Sequence, residues 1–161
     1  MGKRVFLAED DPFQARSIAA AIRTYCGAAV TVANSESEAR NKVTAADGSP
    51  EEPFFDIYIV DLMLPWARGD DIPEPDDPRV LTQGPLRAGF RVIEAIQRRE
   101  AELRPNFAPD ILLYTVAADD AEPPSSPPPG SYHRYLKQDD DNREIAAVVA
   151  QLLREHGIER R

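Results

Sequence analysis

Short apolar runs alternate along this chain with longer stretches of helical period. Val5-Phe6-Leu7-Ala8 is the first apolar run, closed by Glu9, Asp10, Asp11 and Pro12. A proline preceded by acids suits the first turn of a helix and the positive end of its dipole. From about Phe13 to Tyr25, Ala15, Ile18, Ala19 and Ile22 recur at helical spacing and predict a buried stripe, with Gly27 as the stop. Ala28 to Ala33 reads as a second strand. Ser35 and Glu38 have capping-box spacing at the head of a second helix, whose Ala39, Val43 and Ala46 face inward. Asp47-Gly48-Ser49-Pro50 ends it. Ile57-Tyr58-Ile59-Val60 is uncharged, β-branched or aromatic, as suits a strand buried on both faces. Asp61 stands where that strand leaves the sheet.

The second half is less regular. From Ala67 to Arg87 there is no clean period, and Asp70, Asp71, Glu74, Asp76 and Asp77 alternate with prolines, which predicts a long acidic loop. A third helix is expected from near Gly89 to about Leu103, with Phe90, Val92, Ile93 and Ile96 inward. Ile111 to Thr115 is the fourth strand. Residues 117–131 are of low complexity and too rich in proline for a regular helix. Tyr132 to Leu136 is the fifth strand. Asp139, Asp140 and Asp141 cap a last helix carrying the stripe Ile145, Val148, Val149, Leu152 and Leu153, with Gly157 as its end. Strands separated by helices pair in parallel through right-handed crossovers. The pattern therefore predicts an α/β fold, a doubly wound five-stranded parallel sheet of order 2-1-3-4-5. In that order Glu9, Asp10 and Asp61 converge at the carboxyl ends of neighbouring strands.

Composition narrows the reading. At 161 residues the chain is expected to be one domain over 1–161, with 66–88 as an inserted acidic loop. A net charge of −9 argues against nucleic acid, whose phosphates call for clustered Lys and Arg. The single cysteine, Cys26, forms no internal disulfide, which points to a reducing cytoplasm. No apolar run approaches the roughly 18 residues of a membrane span, and the first apolar run is too short for a secretory signal. Five of the fifteen prolines lie between Pro65 and Pro85 and five between Pro123 and Pro129, which marks both stretches as irregular.

Three converging carboxylates repel one another and ask for a cation. Hard oxygen ligands with few protein donors suit Mg²⁺. Thr115 and Lys137, at the ends of the fourth and fifth strands, add a hydroxyl and an ammonium to the same crevice. Taken singly, each has a plainer reading: a cap for the first helix, a strand threonine, a solvated lysine. Together, in this order, the acids after the first strand, the Asp61-Leu62-Met63-Leu64-Pro65 run, Thr115 and Lys137 resemble the receiver domains of two-component response regulators. The resemblance implies a flavodoxin-like receiver fold in which Asp61 accepts a phosphoryl group. Glu9 and Asp10 would bind Mg²⁺ with Asp61 and the main-chain carbonyl of Met63. The pair could also be Asp10–Asp11; the four apolar residues before Glu9 favour Glu9–Asp10. Thr115 and Lys137 would bind the phosphoryl oxygens. The implied partners are a histidine kinase or phosphotransfer protein and a downstream protein, and the resemblance leaves room for a homodimer. No enzymatic activity is expected beyond the receiver's own phosphorylation and dephosphorylation, and no output domain follows the last helix.

The chain departs from the family pattern in several places. Gln138 follows the lysine where a proline is usual, and Val116 follows the threonine where a small residue is usual. Arg134 takes the place of the switch aromatic, flanked by Tyr132 and Tyr135. The connection after the third strand is about 20 residues longer than such loops usually are. The Pro-rich segment 117–131 replaces the fourth helix, so the face used for output is expected to be remodelled. These departures support an alternative, a receiver-like interaction module that works without phosphorylation. A haloacid-dehalogenase phosphatase is disfavoured because Met63 stands where a second aspartate is usual. A nucleotide-binding fold is disfavoured because no glycine-rich loop follows the first strand.

Overall fold

The computed structural model describes residues 2–49, 51–70, 72–115, 132–137 and 142–159, with side chains as far as Glu155. Its element order is β1 (Arg4–Ala8), α1 (Pro12–Cys26), β2 (Ala29–Ala33), α2 (Glu36–Ala45), β3 (Ile57–Val60), α3 (Arg79–Gln83), a 3₁₀ turn (Pro85–Arg87), α4 (Ala88–Leu103), β4 (Asp110–Thr115), β5 (His133–Leu136) and α5 (Arg143–Glu159). The strands form one five-stranded sheet of order β2-β1-β3-β4-β5. Every pairing is parallel, with Val5 beside Ile57, Ile57 beside Asp110 and Leu112 beside His133.

The pleat sends successive side chains to opposite faces, and each face has its own core. Val5, Leu7, Ile57, Ile59, Leu112 and Tyr114 pack on Ala15, Ile18 and Ile22 of α1 and on Ile145, Val149 and Leu153 of α5. Phe6, Ala8, Tyr58, Val60, Ile111 and Leu113 pack on Ala39 and Val43 of α2 and on Val92, Ile93 and Ile96 of α4. All four residues of β3 are buried, which is why that run carries no charge. Fully burying a side chain of this size contributes roughly 1.5–3 kcal/mol.

Local chemistry sets the helix ends. Asp11 is the N-cap of α1; its Oδ1 accepts from the N–H of Phe13 at 2.8 Å and of Gln14 at 3.3 Å. Gly27 closes the helix at φ 61°, a conformation that glycine adopts without strain. Ser35 accepts from the Glu38 N–H at 3.2 Å, while the Glu38 carboxylate accepts from the Asn34 N–H at 2.8 Å. The return bond of this capping box therefore lands one residue ahead of the cap.

The structure corrects the sequence reading at two places. The stretch expected as an irregular loop contains the five-residue helix α3 and a 3₁₀ turn. α3 lies between Pro78 and Gly84 and buries only Val80, too little to show as a period. Helix α5 continues through Gly157 to Glu159. A glycine inside a helix costs only about 1 kcal/mol, so it permits a stop without forcing one. The Pro-rich segment 117–131 and the acidic cap at Asp139–Asp141 lie outside the described residues.

A buried ion pair, unforeseen from the sequence, roots the insert. Arg91 of α4 donates from Nε to Glu36 Oε1 at 2.8 Å and from Nη2 to Oε2 at 2.7 Å. Both side chains are 3% exposed or less. The same guanidinium donates to the carbonyl of Gly84 at 2.9 Å and to Gln83 Oε1 at 3.3 Å. The first two N–H groups of α2, on Glu36 and Ser37, donate to the carbonyls of Pro65 and Trp66, both at 2.8 Å. Orphan donors of a helix start thus hold the chain where the insert begins. Both roots of the insert are tied to α2 and α4.

Candidate functional site

Three backbone bonds continue the parallel ladders one residue past the strands. The Glu9 N–H donates to Ala33 O at 3.0 Å, the Asp61 N–H to Ala8 O at 2.9 Å, and the Lys137 N–H to Thr115 O at 2.9 Å. Glu9, Asp61 and Lys137 are therefore fixed by the sheet while their side chains meet beyond its edge. One carboxylate oxygen from each of Glu9, Asp10 and Asp61 lies within 4.8 Å of the other two. Lys137 Nζ donates to Glu9 Oε2 and to Asp61 Oδ2, each at 2.6 Å. Its ammonium also stands over the Tyr114 ring, 5.4 Å from the centroid. The remaining oxygens take backbone donors: Glu9 Oε1 accepts from the Asp11 N–H at 3.1 Å, and Asp61 Oδ1 from the Met63 N–H at 3.3 Å.

Glu9 and Asp61 are 1% and 6% exposed. Burial pushes the carboxyl of Glu9 up, and Lys137 offsets only part of that. Burial likewise pushes Asp61 up, against the pull of Lys137. Burial acts to lower Lys137, but its two carboxylate partners win and hold its ammonium above the ordinary lysine range. The cluster is thus short of positive charge. This donor set fits Mg²⁺: hard carboxylate oxygens from three residues, mutually close, with one carboxylate half-open to solvent water.

The structure brings Glu9, Asp10, Asp61 and Lys137 together. Asp11 turns away to cap α1, which separates it from the Glu9–Asp10 pair. Thr115 is buried at the carboxyl end of β4, opposite Leu136 in register. Met63 is exposed, two residues past Asp61, with its N–H on the Asp61 carboxylate. Val116 and Gln138 lie outside the described residues. Arg134 is exposed on β5, while its flanking aromatics pack inward. Tyr132 meets Phe90 edge-on with centroids 6.1 Å apart, and Tyr135 lies 5.7 Å from Tyr114.

Two residues at the site escaped the sequence reading. Gly89, in the first turn of α4, donates its N–H to Leu62 O at 2.9 Å. A Cβ there would strike the carbonyl oxygen of Asp61 and stand 2.7 Å from Leu62 Cα. Only glycine lets α4 start against the backbone that carries Asp61. The second is Arg68 in the insert, whose Nη2 lies 3.5 Å from Asp10 Oδ2. Gly89 was legible as the start of a helix, though nothing local announced the contact. Arg68 had no signal at all, because the path of a Pro-broken insert does not follow from its sequence.

No protein-family model matches the chain, and no curated protein matches it. Solved structures do. The N-terminal domain of a response regulator/sensory box/GGDEF three-domain protein from Carboxydothermus hydrogenoformans superposes with a TM-score of 0.60 at 19% identity, covering 99% of this chain and 100% of that one. A CheY-like response regulator receiver domain protein from Methanospirillum hungatei gives 0.57 at 19% identity, covering 99% of each chain. A Thermotoga maritima response regulator in complex with Mg²⁺ and BeF gives 0.57 at 15% identity, covering 93% of this chain and 98% of that one. The chain has the fold of response regulator receiver domains over nearly its whole length. Among the described residues, no helix is long and apolar enough to cross a membrane.

Proposed function

We propose that this protein is a phosphoryl-accepting receiver of a two-component relay, with Asp61 as the acceptor. The observation that carries the reading is the meeting of Glu9, Asp10, Asp61 and Lys137 beyond the ends of three strands, with Lys137 on the carboxylate of Asp61. An Asp61 oxygen forms a bond to phosphorus while the P–N bond to a donor phosphohistidine breaks. The imidazole nitrogen keeps that electron pair and takes up a proton. Such transfers need positioning and charge neutralisation more than covalent help. Asp61 is positioned by the ladder bond to Ala8 and by the Met63 N–H. Lys137 supplies an ammonium, and the Thr115 hydroxyl a hydrogen-bond donor, for the incoming oxygens. Glu9, Asp10, Asp61 and the main-chain carbonyl of Met63 would hold Mg²⁺. When bound, it neutralises charge on the transferred group.

The donor in this reading is a histidine kinase or a phosphotransfer protein in the cytoplasm, and the output is contact with a protein, a second copy included. Catalysis is confined to the protein's own aspartyl phosphorylation and dephosphorylation. The test is transfer from a panel of phosphorylated histidine kinases, with and without Mg²⁺, followed by intact mass. One phosphoryl group on the wild type and none on Asp61→Asn is the expected result. A folded, Mg²⁺-binding protein that takes no phosphoryl group from any donor would favour a phosphorylation-independent interaction module.

A further inference from the structure

Among the described residues, two positive side chains meet the three carboxylates. Lys137 covers Glu9 and Asp61, and Arg68 covers Asp10. Arg68 belongs to the insert, not to the strands that build the site. Arg79, also in the insert, pairs with Asp77 two residues away and with Glu94. The Arg68 ion pair instead joins the insert to Asp10, just past the end of β1. Gly69, at φ 94°, turns the chain immediately afterwards. The oxygen it approaches, Asp10 Oδ2, belongs to the same carboxylate that completes the three-acid cluster.

We propose that Arg68 is a built-in counter-cation of the site, one that a divalent cation must displace from Asp10, so that the insert tunes metal occupancy. The proposal rests on the reading that Glu9, Asp10 and Asp61 hold a divalent cation. Both partners are about half exposed, so the contact is exchangeable and its effect modest. Metal binding frees Arg68 and loosens the insert just past its first root, where the carbonyls of Pro65 and Trp66 stay tied to the N–H groups of Glu36 and Ser37. The single tryptophan, Trp66, lies two residues from Arg68, and its Nε1 donates to Pro73 O at 2.6 Å within the insert. Its fluorescence reports any rearrangement there.

The experiment is calorimetric titration of Mg²⁺ into the wild type, Arg68→Ala and Arg68→Lys, with Trp66 emission followed in parallel. Arg68→Ala binds Mg²⁺ about threefold more tightly at low salt, Arg68→Lys stays near the wild type, and the gap closes as salt screens the pair. The Mg²⁺-dependent change in Trp66 emission shrinks in Arg68→Ala. Equal affinities for wild type and Arg68→Ala at low salt overturn the proposal while leaving the metal site intact. No Mg²⁺ binding to any of the three overturns it together with the metal reading beneath it.

Discussion

Two of the groups of buried charge among the described residues are built on different plans. Glu36 and Arg91 form a balanced pair, two charges joined by two parallel hydrogen bonds, with the spare donors of Arg91 taken by Gly84 and Gln83. Glu9, Asp10 and Asp61 form an unbalanced group, three carboxylates around Lys137, with Arg68 reaching only the rim. The first leaves nothing for a ligand to satisfy and works as a staple between α2, α4 and the insert. The second leaves a charge deficit at the open end of the sheet. Burial alone therefore says little about a charged residue's role; the balance of partners decides it.

Breaking the balanced pair should have the largest effect. Arg91→Ala strips buried Glu36 of both its hydrogen bonds to a guanidinium, leaving only Arg40 Nη1 at 4.0 Å, and is expected to cost about 3 kcal/mol in urea unfolding, the same with or without Mg²⁺. Lys137→Ala attacks the unbalanced group, and here the cost should depend on metal. It is expected to be about 1–3 kcal/mol in EDTA and to shrink on adding Mg²⁺, because another cation takes over the neutralisation. A loss unchanged by Mg²⁺ would make the two clusters alike and remove the distinction.

The smallest effect has the opposite sign. Burial raises the carboxyl of Asp61 in the folded protein above its ordinary value of 3.8. A raised acid costs the folded state stability once pH exceeds both its unfolded and its folded value. Asp61→Asn, without metal, is therefore expected to melt at a higher temperature than the wild type at neutral pH. That advantage should fade as pH falls through the folded pKa and vanish below the unfolded one. Thermal melts of the two proteins in EDTA from pH 7 to pH 3 check this. A wild type that is the more stable at pH 7 would mean that Lys137 more than offsets the burial of Asp61.

The legible parts of the molecule are those governed by period and by strand ends. The stripe Ala15, Ile18, Ala19 and Ile22 is buried as its spacing implied, because a helix facing a sheet must repeat every three or four residues. Asp61 follows a charge-free strand, so its place at the carboxyl edge could be read directly. Arg91 could not be read, since a charged residue between Phe90 and Val92 looks like the solvent side of α4 until Glu36 is seen opposite. Glu100 escaped for the same reason. It is buried beneath α4, accepting from the Tyr58 hydroxyl and pairing with Arg104 at 2.5 Å. Tertiary pairing of charges leaves no trace in local sequence. The approach of Arg68 to Asp10 adds a second reason, because it depends on the path of an insert with no periodicity to follow.

If Asp61 in the unbalanced group is the phosphoryl acceptor, locating the modified residue is the sharpest check. After reaction with a phosphodonor and Mg²⁺, borohydride reduces an aspartyl phosphate to homoserine, and peptide sequencing by mass finds the position. Homoserine is expected at position 61 and nowhere else, dependent on Mg²⁺. Reduction at Asp10 or Glu9 instead, or a phosphoryl group retained by Asp61→Asn, would contradict it.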